Sequence, residues 1–127
     1  MRIFSIEGKD NSPYVLIDEA KSLLEISGNS TLRDTQWFYG NLLNWMIAFN
    51  RGPMKTQTVN IRLNRINESS LQGIARMFKR LAGNISESAI EINWYTDGKN
   101  SRLDSSGKVL QREIGFRVNL VSHRGEC

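Results

Sequence analysis

Cysteine is nearly missing from this chain. The single one, Cys127, is the last of 127 residues, so no internal disulfide can form and no thiolate set can hold a zinc ion. There is one histidine, His123, in the same terminal stretch. A Ser-His-Asp or Cys-His site would need that stretch to fold back, because a base without a positioned partner does little. No apolar run approaches the roughly 18 residues of a membrane-spanning helix. The opening Met1–Glu7 lacks a secretory pattern, since Glu7 and Lys9 interrupt its apolar run. Neither phosphate-binding glycine pattern, Gly-x-x-x-x-Gly-Lys-Ser/Thr or Gly-x-Gly-x-x-Gly, occurs. Asp18 with Glu19, and Asp104 with Glu113, match no metal or glycosidase arrangement and read as solvated loop charges. These shortages point to a soluble, cytoplasmic binding or regulatory module rather than an enzyme, with no cofactor implied.

What is present suits one domain over residues 1–127, with 39% apolar and 24% charged residues. The net charge of +4, from 17 basic and 13 acidic residues, is mild. Arg76, Lys79 and Arg80 fall on one predicted helix, with Arg62 and Arg65 just upstream. Such a cluster reads first as a solvated helix face. The alternative is a small nucleic-acid or nucleotide-binding module that adds an exposed Trp37 or Tyr39.

Hydrophobic periodicity lays out the elements. Ile3–Glu7 reads as a strand, Gly8–Pro13 as a turn, and Tyr14–Asp18 as a second strand. After a turn at Asp18–Lys21, Ser22–Ser27 reads as a third strand that stops at Gly28-Asn29. A long helix is expected from about Asp34 to Asn50, capped by Thr31 or Asp34 and ended by Gly52-Pro53. Its buried stripe is Phe38, Leu42, Trp45, Met46 and Phe49; Trp37 and Tyr39 lie off it, over a sheet edge or toward a partner. Thr58–Ile66 reads as a central strand. A second helix follows from Ser69 or Ser70 to about Leu81, buries Leu71, Ile74, Ala75, Phe78 and Leu81, and stops at Gly83-Asn84. Ala89–Tyr95 is a further strand and Thr96–Asn100 a turn. Gly107 argues against a long helix in Arg102–Glu113, so a loop and a short helix at Val109–Arg112 are expected. Phe116, Val118 and Leu120 form a last strand before a frayed tail, residues 122–127. Hairpins followed by helix-linked strands predict an α/β fold: a mixed sheet with helices mainly on one face.

The corner between the central strand and the second helix is Arg65-Ile66-Asn67-Glu68-Ser69-Ser70. Asn67 can cap the helix, Glu68 complements its dipole, and the serines can satisfy free backbone N–H groups. An open helix N-terminus also favours a phosphate.

Four segments in order carry a resemblance: Ile26-Ser27-Gly28-Asn29-Ser30, Phe38-Tyr39-Gly40-Asn41-Leu42-Leu43-Asn44-Trp45, Leu63-Asn64-Arg65-Ile66-Asn67-Glu68-Ser69-Ser70, and Ile92-Asn93-Trp94-Tyr95. Together they resemble the SiaC family of bacterial regulatory phosphoproteins, whose fold is similar to that of STAS-type anti-sigma-factor antagonists. The resemblance spans about Ile3 to Val121 and is weakest in the last third. It implies a partner switch: a dedicated Ser/Thr kinase phosphorylates a threonine at the corner, and a PP2C-like phosphatase reverses this. The unphosphorylated form then binds and activates a diguanylate cyclase, raising cyclic di-GMP and favouring biofilm. The family pattern there is Asn-Thr-Ser-Ser, and Glu68 stands at the threonine position. Residue 68 therefore cannot accept a phosphate. Two readings stay open. Glu68 is an introduced mimic of the phosphorylated residue, which the intact Asn67, Ser69 and Ser70 favour, or a natural divergence with the switch lost or moved to Ser69 or Ser70. The expected partner surface is Arg65 with Gln72, Arg76 and Lys79 on the second helix.

Overall fold

A computed structural model describes residues 3–49, 57–83, 89–96 and 101–122. The elements run β1 (Ile3–Ile6), β2 (Tyr14–Asp18), β3 (Leu23–Ser30), α1 (Thr35–Phe49), β4 (Gln57–Ile66), α2 (Glu68–Ala82), β5 (Ile90–Thr96), α3 (Ser101–Ile114) and β6 (Val118–Ser122). The six strands lie in one sheet in chain order. The β1–β2 and β2–β3 pairs are antiparallel, while β3–β4, β4–β5 and β5–β6 are parallel. Each parallel pair needs a crossover and each crossover is a helix. Right-handed crossovers in a sheet that always grows the same way place all three helices on one face. The mixed α/β architecture expected from the sequence is thus the one found.

Burial confirms the two faces. Val15 and Ile17, Leu24 and Ile26, Val59, Ile61 and Leu63, and Ile90, Ile92 and Trp94 point inward beneath the helices. The outward face is polar, and its middle row is a ladder of amides. Glu25, Asn60, Asn93 and Asn119 are register partners on β3 to β6. Asn119 Nδ2 donates to Asn93 Oδ1 (3.0 Å), Asn93 Nδ2 to Asn60 Oδ1 (2.9 Å), and Asn60 Nδ2 to a Glu25 carboxylate oxygen (3.4 Å). On the same face the Arg62 guanidinium lies 3.8 Å from the centre of the Tyr95 ring.

Several expectations need correction. The third strand does not stop at Ser27 but runs to Ser30, through a register shift between Gly28 and Asn29 where Gly28 takes φ +95°. Only a residue without a side chain adopts that angle cheaply, so the glycine bends the strand instead of ending it. The last strand reaches Ser122, which pairs with Thr96 and so is not part of a tail. The largest difference is α3, a continuous 14-residue helix in place of a loop and a short helix. Gly107 is there because of what it packs on. A Cβ on it would lie 2.8 Å from Trp94 Cδ1 and 2.6 Å from Leu120 Cδ2. Buried Trp94 reaches further into α3 by donating from Nε1 to the Leu103 carbonyl (2.9 Å). A helix penalty of about 1 kcal/mol for glycine is accepted so that α3 can sit directly on the indole. The Gly52-Pro53 stop, Asn84, the turn at 97–100 and the tail at 123–127 lie outside the described residues.

Gly107→Ala tests this packing. Helix propensity alone favours alanine by about 1 kcal/mol, but overpacking against the indole costs about 1–3 kcal/mol. The expected result is a net loss of stability in urea unfolding. A gain would mean that Trp94 yields freely.

Candidate functional site

The helix α2 starts where it does because Asn67 stops the strand. Its backbone is extended (φ −97°, ψ 170°) and its Oδ1 accepts from the Ser70 N–H (2.9 Å). Its carbonyl accepts the first helical bond, from Leu71 N–H (3.0 Å). This N-cap is the one expected, with the helix beginning at Glu68 rather than at Ser69 or Ser70.

The corner is also tied to the β3–α1 connection. Parallel pairing puts Ser30 opposite Ile66, and Asn67 N–H donates to the Ser30 carbonyl (3.1 Å). The Leu32 carbonyl accepts from Asn67 Nδ2 (3.0 Å) and from Ser69 Oγ (2.9 Å). The Leu32 N–H in turn donates to Ser70 Oγ (3.3 Å). Ser70 is fully buried by this arrangement. Thr31, the residue before Leu32, is held by Asn11 of the β1–β2 loop through backbone and side chain (2.9 and 3.2 Å).

Tyr39 anchors the other side of the clamp. Its hydroxyl shares a 2.6 Å buried hydrogen bond with Ser30 Oγ. The expectation that Tyr39 covers a sheet edge or meets a partner is therefore overturned, because its ring is 1% exposed inside the core. Burial pushes its phenol well above the ordinary tyrosine range, against the opposing pull of Ser30. Trp37, two residues earlier and on the opposite face of α1, is 69% exposed, and its backbone N–H donates to Asp34 Oδ1 (3.1 Å). Trp45 is only partly buried against the core.

Of the four residues Asn67 to Ser70, Glu68 alone is exposed. It is exposed at the first position of α2 and lines one end of a groove between α2 and α3. The groove continues along Leu71, Gln72, Ala75, Arg76 and Lys79, with Val109 and Glu113 on the α3 wall. Three residues expected on the partner surface, Gln72, Arg76 and Lys79, thus share one groove with Glu68. Arg65 does not line it; it is exposed near the end of β4, opposite Asn29. Glu113 is not a loop charge but a helical residue 3.8 Å from Lys79 Nζ. Both partners are more than half exposed, so this pair adds little stability. Leu71, expected in the core, is only half-buried and forms part of the groove.

The basic cluster of the nucleic-acid reading comes apart. Arg62 is on the polar sheet face over Tyr95, Arg76, Lys79 and Arg80 are on α2 across the sheet, and Tyr39 is buried. Ser30, Leu32, Val109 and Glu113 had no assigned role from the sequence at this site; each arrives from another segment. Among the described residues no group of acidic, histidine or cysteine side chains could hold a metal ion, and no helix is long and apolar enough to cross a membrane.

A capped, clamped strand-to-helix corner beside an open helical groove marks this small α/β domain. A model of the SiaC family of regulatory phosphoproteins matches residues 6–123, and the chain belongs to that family. The fold is similar to that of apo-SiaC from Pseudomonas aeruginosa, at 17% identity over 96% of this chain and 100% of that one, with TM-score 0.78. It is also similar to a structure of the diguanylate cyclase SiaD in complex with its activator SiaC, from the same organism. There the identity is 18% over 94% of this chain and 99% of that one, with TM-score 0.81. A comparison with curated proteins found no match.

Two substitutions test the clamp. Asn67→Ala removes the cap and should cost about 1 kcal/mol in chemical unfolding. Tyr39→Phe should cost a similar amount by leaving Ser30 Oγ without its partner. The buried phenol keeps its proton in the folded state beyond the unfolded value near 10. The folded protein then binds more protons than the unfolded chain above about pH 10, so stability falls there as pH rises. Tyr39→Phe should make that alkaline decline shallower; equal slopes for both proteins would remove Tyr39 as a contributor.

Proposed function

We propose that this chain is a non-enzymatic, cytoplasmic partner-switch protein that binds and activates a diguanylate cyclase when residue 68 is uncharged. Glu68 holds it in the state that phosphorylation imposes on its threonine-bearing relatives. In those relatives a cognate Ser/Thr kinase and a PP2C-like phosphatase set the charge at this position.

One observation carries the reading: the corner turns residue 68 outward to the groove while Asn67, Ser69 and Ser70 are spent on the clamp. A group added at position 68 changes the surface without disturbing the fold. A phosphate there brings about −1.5 to −2 charges; a carboxylate brings one, of the same sign and beside the favourable helix N-terminus. Moving the phosphate to Ser70 conflicts with its complete burial, and moving it to Ser69 would break that residue's bond to Leu32.

The test is binding of the cognate diguanylate cyclase, by titration calorimetry, to this chain, Glu68→Thr and Glu68→Gln. Both variants should bind at least about tenfold more tightly, because each removes the charge and the second hardly alters shape. The threonine form should also become a substrate of the kinase. Equal affinity for all three chains would show that the charge at position 68 is not the switch.

A further inference from the structure

The fold separates Arg62 and Arg65 from the cations of α2 and regroups them on the sheet face that carries no helix. Sheets with parallel strands usually have both faces covered. Here β3 to β6 are paired in parallel, and their outward face is open.

One row across that face has a chemistry of its own. Tyr14 on β2 is the register partner of Ser27 on β3, and Ser27 is the partner of Arg62 on β4. Arg62 lies over Tyr95 on β5, with its guanidinium carbon 3.8 Å from the ring centre. Neighbouring strands are about 4.8 Å apart, so the two tyrosines are about 14 Å from each other. Tyr14 is 40% exposed, and Arg62 is exposed above the ring that orients it. Arg65 is also exposed, beyond the register shift and opposite Asn29. Its neighbour Ile66 is buried on the helical side, so Arg65 faces the same way as Arg62.

The carboxylates of the open face are arranged around this row. Glu25 and Glu91 belong to rows nearer the other end of the strands and accept from the amides of Asn60 and Asn93 (3.4 and 3.3 Å). The β1–β2 loop adds Lys9 with Glu7 and Asp10, which leaves the β4 side of the row as its cationic part. Two exposed planar groups, a tyrosine and an arginine held flat on another tyrosine, suit bases, since a guanidinium plane or a phenol ring stacks on any of them. Sheets that bind single-stranded RNA stack two or three bases on their open face. An extended peptide pairs with a strand edge and does not cross the middle of a face.

We propose that this face binds single-stranded nucleic acid. One base stacks on the Arg62–Tyr95 pair and another on Tyr14, and phosphates pair with Arg65 and the edge of the Arg62 guanidinium. The inference is independent of the cyclase reading, because Glu68 and its groove are on the helical side.

The test uses the full chain and a fluorescein-labelled strand of about eight uridines, a length typical of one single-strand site. Affinities come from anisotropy at low salt, and thermal melts check folding. Tyr14→Ala, Arg62→Ala and Arg65→Ala should each lose at least about fivefold in affinity. Tyr14→Phe keeps the ring and should bind as its parent does. Lys108→Ala removes an exposed charge on α3 and should also leave binding unchanged. Affinity should fall as salt is raised, and Arg65→Ala should lower the logarithmic salt slope by about 0.7. No binding at low salt would overturn the proposal. So would folded Tyr14→Ala or Arg62→Ala variants that bind as tightly as the parent, or an equal loss for Lys108→Ala, which would mean diffuse attraction to a basic protein. Polyglutamate competing as well as unlabelled strand would make this a site for an acidic polypeptide and overturn it too.

Discussion

The amide and carbonyl of Leu32 hold the β4–α2 corner and the β3–α1 connection together. The carbonyl accepts from Asn67 and Ser69, and the N–H donates to Ser70. A helix N-terminus has unsatisfied donors, and a loop has unsatisfied groups of both kinds. Here each supplies what the other lacks. The arrangement depends on parallel pairing of β3 and β4, which ends both strands on the same side of the sheet and brings their following segments together. With three corner side chains turned toward Leu32 or the cap, the fourth, at position 68, is left facing solvent and the groove.

The groove has a second dependence, at the far side of the helical layer. Its α3 wall is placed by Trp94, whose indole packs under Gly107 and hydrogen-bonds to Leu103. α2 lies between its neighbours, with Gly73 close against Thr35 and Tyr39 of α1 and Lys79 near Glu113 of α3. The groove-lining face of α2 is therefore supported from both sides by contacts with its neighbouring helices. The opposite sheet face carries its amide ladder along the middle row, while the helical side carries an open, partly apolar recess.

Much of the fold was legible in the sequence, because strand and helix periods are local. Val59, Ile61 and Leu63 alternate, and Ile74, Phe78 and Leu81 recur at helical spacing, so β4 and α2 could be read directly. The cap was legible for the same reason, since Asn67 and Ser70 are three residues apart. Gly107 and Tyr39 misled. A glycine inside a helix and a tyrosine off the main stripe each have an ordinary local meaning, and in both cases a contact from another element replaced it. Trp94 required the glycine, and Ser30 gave the tyrosine a buried hydroxyl partner.

By itself the sequence determined the order and type of most elements, the capped corner with a carboxylate at position 68, and the resemblance that the family match bears out. Local spacing and side-chain chemistry suffice for these. Only the tertiary structure decided which corner residues are spent inward and which one faces out, that Gln72, Arg76 and Lys79 share a groove with Glu68 and Glu113, and that Arg62 stands on the other side of the sheet. Those outcomes depend on contacts between residues some 35 positions apart, such as Leu32 with Ser69 and Lys79 with Glu113. No local pattern encodes them, because the partner that satisfies a donor or walls a cavity is chosen by packing of the whole chain.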